Sequence, residues 1–344
     1  MSEDGTLTAT TVADREPALD LEPALGRVDE IADRTFRGWT VPGLVYGVVV
    51  DGELVHSRGL GRLRIGDAAT PDADSVFRIA SMTKSFTAAT VLSLRDEGRL
   101  RLDDPIALHL PQLAGLHGPT SDSPPITIRH LLTMTAGFPT DDPWGDRQQG
   151  LDPARFLELV ADGLSFAWAP GTRFEYSNLG YGLLGRIITA VAGREYREVV
   201  GERILEPLGL ASTGYLEAEV APERLARGYV WRDGTFVPEP MDPYGALASM
   251  GGVFTTIRDL ATWVAGFVDA FPPRDGAGLP VAWSAGHPLS RATRREMQQP
   301  NVTFDAAVTF ATPDAEPALD GGAYGFGLFV QDHLRWGRIV THSG

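Results

Sequence analysis

The sequence predicts a mixed α/β protein of the α+β type, with an antiparallel sheet drawn from both ends of the chain, flanking helices and an inserted, mainly helical subdomain. Three observations predict it. A strand–turn–strand pattern surrounds Asp51-Gly52, helical apolar spacing dominates the middle, and strand patterns return near residue 324 and at 338–341. On this reading residues 1–20 are a flexible polar lead-in, 21–80 and 250–344 form the sheet-containing subdomain, and 81–249 form the helical one.

Taken in order, Leu25, Val28, Ile31, Ala32 and Phe36 recur at helical spacing, and Pro23 suits a first turn. Leu44–Val50 and Glu53–Leu60 then flank Asp51-Gly52, a dipeptide suited to a two-residue hairpin. Ser81–Glu97 reads as a helix closed by Gly98. Asn178–Ala192, Tyr196–Leu205 and Asp259–Phe267 read as further helices, with turns at Gly193 and Pro207. Tyr324–Val330 and Arg338–Thr341 read as strands, and the Pro/Gly-rich stretch Phe271–Gly286 as a surface loop.

Composition narrows the function. Hydrophobic residues are 43% and charged residues 22% of the 344, as in ordinary globular proteins. No apolar run approaches the roughly 20 residues of a membrane span. The acidic opening lacks the basic and apolar regions of a secretory signal, so a cytoplasmic address is expected. A net charge of -15 argues against nucleic acid and anionic membranes as partners. Without cysteine there are no disulfides, thiol catalysis or cysteine metal sites. Of the 30 basic residues only Lys84 is a lysine. Arginine holds its proton near neutral pH, whereas a buried lysine can release it, so one lysine among arginines marks its position.

That position is Ser81-Met82-Thr83-Lys84. Three apart on a helix, serine and lysine share a face. A hydroxyl is a poor nucleophile until a base takes its proton, and a neutral amine is one solution. Backbone N–H groups in a first helical turn also favour developing negative charge. In Tyr176-Ser177-Asn178 the phenol is suited to relay a proton to a leaving group, and the amide to hold substrate and lysine together. Alone, this segment reads better as a helix start with an Asn cap. His342-Ser343-Gly344 closes a predicted strand. Its histidine can hydrogen-bond the tyrosine or, protonated, a substrate carboxylate, though a lone strand-end histidine is commonly structural.

In this order the three motifs resemble those of the serine β-lactamase superfamily, in the branch of class C β-lactamases, D-alanyl-D-alanine carboxypeptidases, D-aminopeptidases and β-lactamase-like esterases (peptidase family S12). VFRIASMTK, EGRLRLDDP, IRHLLTMTAG, PGTRFEYSNLG, ILEPLGL and GGVFTTIRD also look like family segments in family order. The resemblance implies a β-lactamase/transpeptidase-like fold, Ser81 as nucleophile, Lys84 as its proton-handling partner, Tyr176 as proton relay and Asn178 as the substrate-amide contact, with Ser343 and Gly344 at the substrate. It implies no cofactor and no metal. H-x-G replaces K-T-G, so a permanent cation gives way to a histidine, which tilts the expectation from efficient β-lactamase activity towards esters, amides or D-amino-acid peptides. Met134 stands where relatives often carry histidine.

In relatives the residue after this glycine donates a second oxyanion-hole N–H, and further strands and a helix follow. A truncated chain, or a second polypeptide supplying the remainder, is therefore expected. Losing one such donor typically costs about 10²–10³ in rate.

Rival readings have less support. Gly180-Tyr181-Gly182-Leu183-Leu184-Gly185 matches a dinucleotide-binding fingerprint but lacks a clear preceding strand. G-x-S-x-G and H-E-x-x-H do not occur, and the seven histidines are scattered, with His130 expected at a helix start and His56 and His333 at the surface or in strands. Three functions remain: an esterase or amidase working through an acyl-Ser81 intermediate, a D-peptidase or weak β-lactamase using the same chemistry, and a non-catalytic penicillin-binding-like sensor. Specificity is expected in the loops Thr140–Gly150, Glu217–Gly245 and Phe271–Gly286.

Overall fold

In the computed structural model, residues 20–141, 144–271, 286–304, 307–309, 318–333 and 336–344 are described. The expected lead-in, apart from its last residue, and the Phe271–Gly286 loop, apart from its two ends, lie outside them. Helix α1 (Glu22–Gly38) carries Pro23 in its first turn, as its sequence predicts. It belongs to a first compact unit ending at Val41, and the second unit is Pro42–Gly344.

Strands β1 (Gly43–Val50) and β2 (Glu53–Gly61) form the predicted hairpin. Asp51 and Gly52 turn it with φ of 52° and 84°, the left-handed pair such a turn requires. A short strand β3 (Phe77–Arg78) leads into a 3₁₀ turn, Ala80–Met82, and helix α2 (Thr83–Asp96). The sequence places Ser81 in the first turn of this helix, but it stands on the tighter turn before it. Short helices α3 (Ile106–His109), α4 (Ile128–Leu132) and α5 (Pro153–Ala161) follow. His130 sits at the start of α4, in a reciprocal cap with Thr127.

Helix α6 (Asn178–Ala192) matches its predicted bounds and ends on Gly193 at φ 71°. The next predicted helix divides into α7 (Tyr196–Val200) and a π-helical turn, Gly201–Leu205. Inside the expected loop Glu217–Gly245 lies a hairpin, β4 (Tyr229–Arg232) and β5 (Thr235–Pro238), turned by left-handed Asp233-Gly234. Then come α8 (Ala248–Gly251), β6 (Phe254–Thr255), α9 (Ile257–Asp269) and α10 (Arg291–Met297). Strands β7 (Val302–Thr303), β8 (Ala307–Thr309), β9 (Ala318–Asp320), β10 (Ala323–Tyr324), β11 (Phe329–His333) and β12 (Gly337–Thr341) complete the described chain.

The mixed α/β class with antiparallel sheets and helices is as predicted. Two details differ. Tyr324–Val330 is two strands, because Gly327 at φ 72° breaks the extended backbone between β10 and β11. The two ends of the chain also build separate sheets among the described residues, β1–β2 and β12–β11–β10–β7. After Thr341 the backbone leaves the ladder, and Gly344 meets the turn at Ile79–Ser81.

The core centres on α2, buried without interruption from Thr83 to Leu94, and on α6, buried from Asn178 to Ile188. A helix buried on all sides has no solvent face for a charged residue, so Lys84 must find its partners inside. The G-x-G-x-x-G segment is part of α6. A Cβ on Gly182 would lie 2.6 Å from Leu247, and one on Gly185 2.4 Å from Ser249 Oγ, so these glycines serve close packing rather than a nucleotide. Helix α9 lies against the first hairpin at Gly47, where a Cβ would come within 2.7 Å of Ile257. Among the described residues no helix is long and apolar enough to cross a membrane, and no group of metal-ligating side chains occurs.

Candidate active site

Ser81 is presented by a strained turn. Ala80, immediately before it, holds φ at 45°, a left-handed conformation uncommon for a residue with a Cβ. The segment 250–253 clasps this turn. Ile79 N donates to Val253 O at 2.9 Å, Val253 N donates to Thr83 Oγ1 at 3.0 Å, and Arg78 Nε donates to Gly251 O at 3.2 Å. Arg78 also donates to Asp242 Oδ2 at 2.6 Å and Gln149 Oε1 at 2.7 Å, tying three chain segments together beside the serine.

Lys84 has no solvent exposure. Its Nζ lies 2.8 Å from Ser81 Oγ, 2.8 Å from Asn178 Oδ1 and 3.0 Å from Met250 O. It also stands 5.0 Å from the ring centre of Tyr176 and 5.6 Å from that of Tyr181. Asn178 reaches the lysine because it opens α6. Ser177 caps that helix by accepting from Gly180 N, and Asp141 accepts from the N–H groups of Asn178 and Leu179 at 2.8 and 2.6 Å.

Ser81 and Tyr176 open onto one cleft of about 690 Å³, with Ser343 and Gly344 on its wall. Asp146 and Asp242, from two of the loops expected to carry specificity, line it as well. Gly344 fits because it has no side chain: a Cβ there would lie 2.1 Å from Ile79 O and 3.0 Å from Ser81 N. Gly327 similarly rests on the backbone of Lys84, 2.6 Å from its carbonyl oxygen if given a Cβ.

His342 stands apart from this cleft and lines a neighbouring apolar groove. Its Nδ1 lies 2.6 Å from Ser343 O, and since a carbonyl only accepts, Nδ1 carries the proton. Nε2 then accepts from the Tyr324 hydroxyl at 3.3 Å. Burial, and next the charge of Lys84, push the imidazole down to about 4, so it is neutral at ordinary pH. The Tyr176 and His342 rings are 6.4 Å apart, and each also faces Phe329. As the replacement of K-T-G by H-x-G leads one to expect, the position holds a neutral ring in place of a permanent cation, and its two nitrogens engage Tyr324 and the Ser343 carbonyl.

Sequence reasoning missed Tyr324, Asp141 and the Met250 carbonyl. Backbone acceptors leave no residue signature, although Met250 directly precedes the quoted segment GGVFTTIRD. Tyr324 and Asp141 act through contacts 18 and 37 residues away in the chain.

A fully buried lysine touching a cleft serine beside a phenol, in a mixed α/β frame, defines a class of protein that the comparisons identify. The chain belongs to the Beta-lactamase family, whose model matches residues 31–344. It is 32% identical over 265 residues to the D-alanyl-D-alanine-carboxypeptidase/endopeptidase AmpH of Escherichia coli, covering 74% of this chain and 65% of that protein. It is 33% identical over 250 residues to penicillin-binding protein 4 of Amycolatopsis lactamdurans, covering 71% and 64%. The matched stretch thus spans somewhat less than two thirds of either relative. The octameric penicillin-binding protein homologue from Pyrococcus abyssi superposes with a TM-score of 0.76 at 26% identity, over 92% of this chain and 67% of that one.

Proposed function

We propose that this chain is a serine hydrolase that forms an acyl-enzyme on Ser81 and acts on small esters or amides. One observation carries the reading: the set of partners around Lys84 Nζ. Asn178 Oδ1 and Met250 O are acceptors only, while the Ser81 hydroxyl can donate. A neutral amine has two N–H donors and one lone pair. Donating to the two carbonyls turns the lone pair toward the serine proton, which is the arrangement a general base needs.

In the proposed reaction Ser81 Oγ attacks the substrate's carbonyl carbon and its proton passes to Lys84 Nζ. The Ser81 backbone N–H receives the developing oxyanion, and Asn178 offers its amide to the acyl side. As the tetrahedral intermediate collapses, the bond to the alkoxide or amine breaks, and that group takes a proton relayed through Tyr176. Water then attacks the ester on Ser81 with the same groups in reverse. Neutral His342 supports substrates without a carboxylate beside the scissile bond. Hydrolysis of D-peptides is the second reading, favoured by the names of the AmpH and penicillin-binding relatives.

The test is a panel of a short-chain nitrophenyl ester, a D-alanyl peptide and a chromogenic cephalosporin, each run beside Ser81→Ala, with intact-mass detection of the acyl adduct. Ester turnover and adduct lost in the variant support the first reading, and peptide preference supports the second. Equal behaviour of both proteins overturns the acyl-enzyme.

A further inference from the structure

Building on the hydrolase reading, we propose that Asp141 is a positioning residue that holds Asn178, and through it Lys84, in the reactive arrangement. The inference rests on Asp141 reaching Asn178 from two sides. Its carboxylate takes the backbone N–H of Asn178 on one oxygen and that of Leu179 on the other, at 2.8 and 2.6 Å. Its own carbonyl accepts from Gly145 N at 2.8 Å. Gly145 in turn packs on the Asn178 side chain, so closely that a Cβ would lie 2.9 Å from Asn178 Cβ and 3.3 Å from Nδ2.

One residue therefore fixes the backbone of Asn178 by its side chain, and the wall behind the Asn178 amide by its backbone. This is more than a helix cap. Ser177 already fills the local capping position of α6 by accepting from Gly180 N. Asp141 lies 37 residues upstream, so its bonds connect a separate chain segment to the helix start. A carboxylate at that end also meets the positive pole of the helix, and charge-assisted bonds to two N–H groups are stiffer than neutral ones.

The consequence is geometric. Asn178 Oδ1 is one of the two carbonyl acceptors that orient the amine of Lys84 toward Ser81. Letting the first turn of α6 relax shifts that acceptor, and displacements of about 1 Å in a catalytic group cost up to about 10²-fold in rate. The orientation of Lys84 acts on the chemical step, so the loss falls mainly in kcat, with a smaller rise in KM from the Asn178 amide that faces the acyl side.

The experiment compares Asp141→Ala and Asp141→Asn with Asp152→Ala, a control with the same chemistry. Asp152 accepts from Ala154 N and Arg155 N at the start of α5, at 2.9 and 3.1 Å, and lies outside the residues given catalytic roles. Nitrophenyl ester turnover and amide hydrogen exchange at Asn178 and Leu179 are measured on each folded variant. Asp141→Ala is expected to lose about 10–100-fold in kcat, with KM within about threefold and faster exchange at those two amides. Asp141→Asn, keeping one acceptor oxygen, should recover most of kcat. Asp152→Ala should lose comparable stability with kcat unchanged. Equal kcat losses in Asp141→Ala and Asp152→Ala, or unchanged kcat and exchange in Asp141→Ala, overturn the inference. If Asp141→Ala does not fold, Asp141→Asn decides it: faster exchange at one of the two amides with a kcat loss of about two- to threefold supports the inference, and unchanged exchange and kcat overturn it. Turnover that survives Ser81→Ala sinks the hydrolase reading instead, and exchange at Asn178 and Leu179 then judges the clamp by itself.

Discussion

Replacing Lys84 by arginine puts a group that stays protonated near neutral pH where the mechanism needs one that can give up its proton. Lys84 Nζ lies within 3.0 Å of Ser81 Oγ, Asn178 Oδ1 and Met250 O and the residue has no exposure, so the larger guanidinium has no solvent route and must displace its neighbours. Overpacking of this kind costs about 1–3 kcal/mol of stability. Loss of a general base costs about 10²–10⁴-fold in acylation, equivalent to about 3–5 kcal/mol of barrier. Lys84→Met separates the two effects. It packs more easily but leaves Asn178 Oδ1 and Met250 O without the lysine's N–H groups, at about 1–3 kcal/mol each. Stopped-flow acylation by a nitrophenyl ester, with thermal unfolding of each variant, measures both quantities. The expected result is folded proteins with acylation reduced at least 10²-fold in each. A folded Lys84→Arg protein that acylates at more than about a tenth of the parent rate would refute the lone-pair assignment.

Gly344→Ala should lower acylation by about 10-fold or more while leaving global stability nearly intact, because its Cβ would press on Ile79 O and Ser81 N. Burst amplitude against thermal midpoint checks this. His342 and His287 are both held down at about 4, each chiefly by burial, with Lys84 and Arg294 as the respective next causes. Between pH 4 and 6.5 the unfolded chain therefore binds more protons than the folded one, so stability is fully present above that window and lost as pH falls through it. The ceiling is about 3 kcal/mol per histidine, reduced by solvent screening. Urea midpoints at pH 7 and 4.5 should show the drop, and His342→Gln should remove a substantial part of it. A pH-independent midpoint would contradict both shifts.

Much of this architecture was legible locally. Asp51-Gly52 announces its hairpin because both residues tolerate a left-handed backbone, and the same signal at Asp233-Gly234 passed unread inside an expected loop. Helix α6 declares itself by its bounds and its closing Gly193, although the cap read as Asn falls on Ser177, whose hydroxyl rather than the Asn178 amide accepts from Gly180 N. What stayed hidden depends on distant chain segments meeting. The split between β10 and β11 reflects Gly327 resting on Lys84, and the clasp of residues 250–253 is made of backbone groups. At the site, Ser81, Lys84, Tyr176 and Asn178 were nameable because their side chains carry the contacts. The partners of His342 were not, since Tyr324 offers no motif.

The solitary lysine has a practical consequence. The one ε-amine of this protein is enclosed within α2. A reductive-methylating reagent, which modifies amines and leaves the Ser81 hydroxyl alone, should mark only the chain terminus in the intact fold. Any additional mass would therefore count molecules whose innermost helix has breathed open, giving a reporter of local unfolding that needs no engineered label.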